Sequence, residues 1–126
     1  MRRMSLMIVA MVVALVLGSG VALAALVEGD GGANTLTGTS GADTIRAFGG
    51  DDLVRSLGGP DRIYGGRGND RLYGGRGNDH IVSQDLNGRG IGRRDVVDCG
   101  PGHDTFDADF EDRVLATCEE GSVGGF

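Results

Sequence analysis

The sequence predicts an all-β solenoid, and two observations carry that prediction. Six nine-residue units run without a gap from 29 to 82, the clearest being GGRGNDRLY at 65–73 and GGRGNDHIV at 74–82. Glycine, an acidic or amide residue and an aliphatic residue recur at the fourth, sixth and eighth positions of the unit. A short fixed period of this kind is typical of stacked repeats, each too small to bury its apolar face alone.

Three columns of the repeat keep their residue type through all six units, with Asn34 as the one conservative exception. The fourth-position residues are Gly32, Gly41, Gly50, Gly59, Gly68 and Gly77. The sixth-position residues are Asn34, Asp43, Asp52, Asp61, Asp70 and Asp79. The eighth-position residues are Leu36, Ile45, Val54, Ile63, Leu72 and Ile81.

Each unit divides into a turn of about six residues and a strand of about three, because its polar and apolar residues alternate only at its end. In Arg71-Leu72-Tyr73, one apolar side chain lies between two outward-pointing neighbours. Glycine in the turns allows positive φ or a close backbone approach. We therefore expect the eighth-position side chains to form an interior ladder and the turns to stack at the edges.

A column of aspartates beside glycine-rich turns favours Ca²⁺ as a ligand. Calcium takes six to eight oxygens and accepts a mixture of carboxylates and backbone carbonyls, whereas Mg²⁺ requires stricter octahedral geometry. A zinc site is disfavoured, since the chain has two cysteines without a C-x-x-C motif and two histidines. The acidic column would repel itself without cations, so we expect the repeats to fold on binding calcium.

Residues 1–24 have the three-part layout of a secretory signal peptide. Arg2 and Arg3 precede an apolar run from about Leu6 to Leu17, and Ala22-Leu23-Ala24 offers small residues for cleavage. The alternative is a membrane anchor, but the run is short for a span of about 20 apolar residues. We expect a secreted chain that begins after Ala24.

The chain is acidic, which disfavours nucleic acid and favours divalent cations as partners. Without Arg2 and Arg3, ten arginines face eighteen acidic residues, a net charge of −8, and lysine is absent. Catalysis is not expected either. His80 and His103 are interpreted as surface residues, and no G-x-S-x-G motif accompanies the serines nearest to them.

At GGRGNDRLY and GGRGNDHIV the chain resembles the RTX, or haemolysin-type, calcium-binding nonapeptide family, whose pattern is G-G-x-G-x-D-x-U-x. The resemblance implies a parallel β-roll with two units per coil and Ca²⁺ between like-sided turns of successive coils. It implies one edge formed by Asn34, Asp52 and Asp70 and another formed by Asp43, Asp61 and Asp79. The turn residues Gly50, Gly59, Gly66, Gly68, Gly75 and Gly77 would complete the metal sites.

The departures from the family pattern indicate where binding should be best. Only the last two units carry both leading glycines, the others beginning Gly-Asp, Gly-Thr, Ala-Phe and Ser-Leu. Asn34 supplies no charge, and Pro60 removes a backbone donor before Asp61. We expect the best sites around Asp52, Asp61, Asp70 and Asp79, with the Asn34 end acting as a weak or capping coil.

Residues 83–89 break the register, which resumes in degraded form over 90–126. Asp95 and Asp104 then occupy sixth positions, and Val97 and Phe106 occupy eighth positions. This segment is expected to cap the open end of the roll, with extra cation sites at Asp95 and Asp104 as the alternative. The even cysteine count of an exported chain suggests a disulfide between Cys99 and Cys118 that pins 112–120 across that end.

Three functions remain open on the sequence. The leading hypothesis is a secreted, non-catalytic calcium-binding protein. The alternative is an adhesive or cell-surface module whose calcium-rigidified roll binds a partner such as a glycan through outward residues including Arg62, Tyr64, Arg71 and Tyr73. An enzyme remnant or toxin accessory module is the third, and the missing catalytic motifs argue against it.

Overall fold

The structure is a computed structural model that describes residues 24–83 and 94–123. The predicted signal peptide therefore lies outside the described residues except for Ala24, as does the predicted insert except for Ser83. In the described ranges every regular element is a β-strand. No helix in this part of the chain is long and apolar enough to cross a membrane.

The described part of the chain forms eleven short strands connected by turns. They are β1 (Leu26–Glu28), β2 (Thr35–Thr37), β3 (Thr44–Arg46), β4 (Leu53–Arg55), β5 (Arg62–Tyr64), β6 (Arg71–Tyr73), β7 (His80–Val82), β8 (Val96–Asp98), β9 (Thr105–Ala108), β10 (Arg113–Val114) and β11 (Glu120–Val123). One sheet has the order β1-β3-β5-β7-β9-β11, and the other has the order β10-β8-β6-β4-β2.

Each strand pairs in parallel with the strand two places along the chain. Ile45 of β3 lies opposite Ile63 of β5, and Val54 of β4 lies opposite Leu72 of β6, each a shift of two nine-residue units. Two units therefore make one coil, and the chain alternates between the sheets at every turn. This confirms the predicted all-β, parallel β-roll.

The core is a single ladder of aliphatic side chains between the two sheets. All six eighth-position residues are buried, and in the strands of the repeats the residues on either side of them are exposed or half-buried. Val27 extends the ladder before the repeats, and Val97 and Cys99 extend it after them. A three-residue strand points one side chain inward, so one apolar residue per unit is enough to fill this narrow interior.

The C-terminal segment continues the roll as a shortened coil, and the Cys99–Cys118 disulfide is confirmed. We expected 112–120 to lie across the open end, but β10 instead pairs with β8 and β11 pairs with β9. The free edges of β8 and β9 offer backbone donors and acceptors that a crossing segment would leave unmatched. The turn 109–112 has four residues and the turn 115–119 has five, against six in the turns of the repeats.

Candidate metal centre

The turns stack into two columns, one at each edge of the roll. Turns 29–34, 47–52 and 65–70 lead from the first sheet to the second, and turns 38–43, 56–61, 74–79 and 99–104 lead back. Asn34, Asp52 and Asp70 therefore lie on one edge, and Asp43, Asp61 and Asp79 lie on the other, as the family resemblance implied. Asp95 continues the first column and Asp104 continues the second, each hydrogen-bonded to the aspartate before it.

The aspartate columns are buried and joined to the backbone of the neighbouring coil. Asp70 Oδ1 accepts the N–H of Asp52 at 2.9 Å, and Asp79 Oδ1 accepts the N–H of Asp61 at 2.9 Å. Asp52, Asp61, Asp70 and Asp79 are all 3% exposed or less. These carboxylates are therefore structural parts of the roll and not a solvated acidic surface.

The second carboxylate oxygen is unsatisfied in five of these side chains. Among residues 24–83 and 94–123, the buried side-chain atoms without a hydrogen-bond partner are Oδ2 of Asp52, Asp61, Asp70, Asp79 and Asp104. A buried polar group without a partner costs about 1–3 kcal/mol, and more when it is charged. Five such atoms in two regular columns call for an explanation, and a bound cation is one that suits carboxylate oxygens.

The five turns that carry these oxygens share one backbone conformation. Their second and fourth residues have positive φ, and in the described chain no residue outside these turns does. The pairs are Phe48 and Gly50, Leu57 and Gly59, Gly66 and Gly68, Gly75 and Gly77, and Gly100 and Gly102. We call turns 47–52, 56–61, 65–70, 74–79 and 99–104 the open turns.

Phe48 and Leu57 hold this conformation although neither is glycine. Their φ angles are 66° and 72°, matching the 77° and 75° of Gly66 and Gly75 at the same position of later turns. A large L-residue in the left-handed region costs about 1–2 kcal/mol. Strain of this size persists only where the surroundings enforce it, and it is common at ligand-binding turns.

Backbone carbonyls line the gap between successive open turns. A Cβ added to Gly66 would collide with the carbonyl oxygen of Phe48, and one added to Gly68 would collide with that of Gly50. A Cβ added to Gly74 would lie 2.7 Å from both Asp79 Oδ2 and the carbonyl oxygen of Cys99. The glycines thus keep free a space in which carboxylate and carbonyl oxygens converge, as calcium requires.

The first two turns of the repeats are built differently, and we call turns 29–34 and 38–43 the closed turns. Thr39 donates its N–H to Asp43 Oδ2 at 2.6 Å, and its hydroxyl accepts the N–H of Gly41 at 3.1 Å. Asp30 donates its N–H to Asn34 Oδ1 at 2.9 Å, and its carboxylate accepts the N–H of Gly32 at 2.8 Å. Each sixth-position side chain here is satisfied within its own turn.

Burial shifts the protonation of the open-turn carboxyls. Desolvation, reinforced by neighbouring aspartates, raises the pKa of Asp70 and of Asp79 to about 8. The same causes raise the pKa of Asp52 and of Asp61 to about 6, and desolvation also raises the pKa of Asp104. Without metal, the roll therefore favours the neutral form of these carboxyls. An adjacent divalent cation would instead favour their charged form.

The donor set selects the kind of cation. Among residues 24–83 and 94–123, no three His, Cys, Asp or Glu side chains come together to hold a metal ion by themselves. A site in these turns must therefore take most of its ligands from backbone carbonyls. Ca²⁺ accepts such ligands, whereas Zn²⁺ sites are built from side-chain nitrogen, sulfur and carboxylate groups.

Asp112, which the nine-residue period does not predict, extends the first column by one more residue. Asp112 Oδ1 accepts the N–H of Asp95 at 3.0 Å, and Asp112 Oδ2 accepts the Ser83 hydroxyl and the Asp109 N–H, each at 2.8 Å. Asp112 lies 17 residues after Asp95, whereas two nine-residue units span 18 residues. A strict nine-residue spacing therefore does not identify it. Its position directly before the strand residue Arg113, like that of Asp70 before Arg71, was the available signal.

The two histidines lie on the surface next to open-turn aspartates, since His80 follows Asp79 and His103 precedes Asp104. His80 Nδ1 is 2.7 Å from the Thr105 hydroxyl, and its Nε2 is 4.0 Å from Asp107 on the open face of a sheet. His103, which is exposed, pairs with Glu119 at 2.8 Å. The 4.0 Å between His80 Nε2 and Asp107 exceeds hydrogen-bond distance.

The parallel roll, its carbonyl-lined turns and the buried acidic columns define a repeat protein of the calcium-binding kind. Residues 28–60 and 57–85 match the family model described as RTX calcium-binding nonapeptide repeat (4 copies). Residues 28–85 therefore consist of RTX calcium-binding nonapeptide repeats. Comparisons with curated proteins and with solved structures gave no match. The open turn 99–104 lies beyond the matched residues.

Proposed function

We propose that this chain is a secreted, non-catalytic calcium-binding protein whose roll is completed by Ca²⁺. The observation that carries the proposal is the set of five buried Oδ2 atoms without a partner, one in each open turn. Three gaps lie between pairs of described open turns: 47–52 with 65–70, 56–61 with 74–79, and 74–79 with 99–104. We assign calcium to these gaps first.

The residues of each gap divide the task of holding the ion. In the gap between 74–79 and 99–104, Asp79 supplies the charged oxygen and Cys99 supplies a carbonyl oxygen beside it. Gly75 and Gly77 present their carbonyls toward the next turn, where Gly100 and Gly102 leave room. When bound, the ion supplies the positive charge that makes burial of these carboxylates favourable.

Binding and folding are coupled in this proposal. Stacking the coils buries carboxylates whose second oxygen has no protein partner, so the metal-free roll is disfavoured at neutral pH. The free energy of metal binding then becomes free energy of folding. Calcium is therefore both ligand and structural component in this proposal.

Export of the chain from the cell is consistent with the expected calcium sites and with the disulfide. Residues 1–24 have the composition of a signal peptide, and disulfides persist mainly in oxidising environments. Extracellular calcium modules bind with dissociation constants on the order of 10⁻⁴–10⁻³ M. A roll of this kind would remain unfolded at the low calcium of the cytoplasm and fold outside the cell.

A second candidate function, adhesion, is favoured by one surface feature. Arg55, Leu57, Tyr73 and Gly75 line a shallow depression beside the open turn 56–61. Leu57 is 47% exposed there, and Arg55 lies opposite Tyr73 in adjacent strands. An aromatic and arginine surface of this type suits a glycan or protein partner. Calcium-dependent binding of the protein to a glycan array, lost in Tyr73→Ala, would support this candidate.

The main test is a calcium titration of the purified chain by circular dichroism and calorimetry, with Mg²⁺ as the control ion. The β-sheet signal should grow with Ca²⁺, and heat of binding should accompany it. A signal that is equally strong in chelator, or a titration without heat, would contradict the proposal.

Two matched variants connect the binding to the open turns. Asp79→Asn should remove one ion and raise the calcium midpoint of folding by at least the roughly 10–100-fold that loss of an outer-shell partner costs, because it removes the charged ligand itself. Asp43→Asn makes the same chemical change on the same edge in a closed turn. It should leave the number of bound ions unchanged, since Thr39 already satisfies Asp43 Oδ2. Equal effects of the two variants would argue against binding at the open turns.

A further inference from the structure

The second residue of each turn separates the open turns from the closed ones. It is Asp30 or Thr39 in the closed turns, and its side chain accepts the N–H of the fourth residue. In the open turns the second residue has positive φ and is Phe48, Leu57, Gly66, Gly75 or Gly100. None of these five side chains has an oxygen that could accept that N–H.

We propose that the second residue decides whether a turn binds calcium. Threonine or aspartate there closes the turn, because its own N–H donates to the sixth-position side chain and takes the place of the cation. A residue held at positive φ leaves that carboxylate oxygen to the ion. The inference rests on the proposed calcium binding and adds which turns bind and what determines it.

The closed turn 38–43 already contains the oxygens of a site. A Cβ added to Gly38 would lie 2.6 Å from Asp43 Oδ2 and 2.8 Å from the carbonyl oxygen of Ser56. Gly74 has the equivalent pair of oxygens beside it, namely Asp79 Oδ2 and the carbonyl oxygen of Cys99. The two gaps differ in that Thr39 donates its N–H to Asp43 Oδ2, whereas Asp79 Oδ2 has no donor.

Competition for one oxygen explains how the second residue acts. A carboxylate oxygen that accepts a backbone N–H at 2.6 Å has that donor in the space a cation would need. The threonine hydroxyl stabilises this arrangement through two hydrogen bonds, accepting from Gly41 and donating to Asp43 Oδ1. Such local side-chain hydrogen bonds stabilise turn conformations that compete with other backbone states.

Two substitutions should therefore change the number of bound ions in opposite directions. Thr39→Gly removes the hydroxyl and permits positive φ, so it should open turn 38–43 and add one Ca²⁺. Leu57→Thr introduces the closing side chain at the same edge, so it should close turn 56–61 and remove one Ca²⁺. Both changes lie outside the acidic column and leave its charge unaltered.

The experiment counts Ca²⁺ ions per molecule by native mass spectrometry at saturating calcium, with circular dichroism to confirm that each variant is folded. Ser40→Gly is the control for Thr39→Gly, because it adds a glycine to the same turn at an exposed position. Leu57→Gly is the control for Leu57→Thr, because it removes the same side chain but permits positive φ. Both controls should keep the wild-type count.

The expected result is one more ion in Thr39→Gly and one fewer in Leu57→Thr. An unchanged count in either folded variant overturns the inference while the proposed function stands. A wild-type chain without bound calcium overturns the proposed function and this inference together. Should Thr39→Gly fail to fold, the count in Leu57→Thr decides alone.

Discussion

The central open turns and the last coil, 105–123, join neighbouring coils by different means. Each open turn buries a carboxylate with one oxygen that has no protein donor. In the last coil, Asp112 occupies the equivalent place, but both of its oxygens accept hydrogen bonds, from Asp95, Ser83 and Asp109. The difference supports the proposal that a cation completes the central coils, whereas protein groups complete the last one.

At the opposite edge of the roll, a covalent bond joins the last coil to the coil before it. The turn 115–119 is one residue shorter than the turns of the repeats and carries no aspartate. The Cys99–Cys118 disulfide joins it to the preceding turn, and the Thr117 hydroxyl donates to Asp98 at 2.9 Å. The last coil is therefore expected to depend on oxidation, and the central coils on calcium.

The largest expected effect is the pH dependence of the central coils without metal. Burial raises the pKa of Asp70 and of Asp79 to about 8, and of Asp52 and of Asp61 to about 6, above the ordinary value of about 3.9. The folded roll thus binds more protons than the unfolded chain. Its metal-free stability is full below pH of about 4 and is lost as pH rises toward 8.

In chelator, the β-sheet circular dichroism should therefore grow as pH falls from about 8 to 5, while calcium affinity weakens because protons compete for the same oxygens. The double variant Asp70→Asn/Asp79→Asn is the control, since its amides do not titrate, and its signal should depend less on pH. A metal-free signal that is constant over this range, or that falls on acidification, would contradict the assignment.

The next effect is the loss of the disulfide from the last coil. The bridge spans a sequence separation of 19 residues, and closing a loop of about that size contributes on the order of 3 kcal/mol. Cys99→Ser/Cys118→Ser should increase amide hydrogen exchange in β10 and β11 while β4 to β6 stay protected in saturating calcium. Reduction of the wild type by a thiol is the matching measurement. Equal loss of protection in both regions would mean that the two are not independent.

The smallest expected effect is the relief of backbone strain in two open turns. Phe48→Gly and Leu57→Gly remove large residues from positive φ, and each side chain is 47% exposed, so little buried area is lost. Each should stabilise the calcium-bound roll by about 1 kcal/mol, partly offset by the flexibility of glycine in the unfolded chain. Urea denaturation in saturating calcium measures this. Gly49→Ala, at a residue outside the positive-φ set, should show no such gain.

Much of the fold followed from the nine-residue period. The strands at 71–73 and at the equivalent places of the other units, the buried eighth-position ladder and the two acidic edges are all as expected. Periodicity predicts these features because each unit has the same local pattern and stacking repeats it. The expected ligand roles of Asp95, Asp104 and the turn glycines remain predictions that the calcium experiments test.

The division between open and closed turns did not follow from the family pattern. The departures from that pattern place the best sites around Asp52, Asp61, Asp70 and Asp79. They do not show that Phe48 and Leu57 keep the glycine conformation while Asp30 and Thr39 do not. The nine-residue period does not predict the position of Asp112, because the shortened last coil places it one residue earlier. Both features depend on which groups meet across a turn or between coils.

The repeat itself thus determined the coil, the core and the location of the acidic columns, because these depend on residue type at a fixed spacing. Only the tertiary structure decided which carboxylate oxygens find a protein donor. Stacking brings each aspartate against the backbone of the coil before it and the carbonyls of the coil after it. Whether its second oxygen meets an N–H or an empty gap depends on backbone torsions that composition does not reveal.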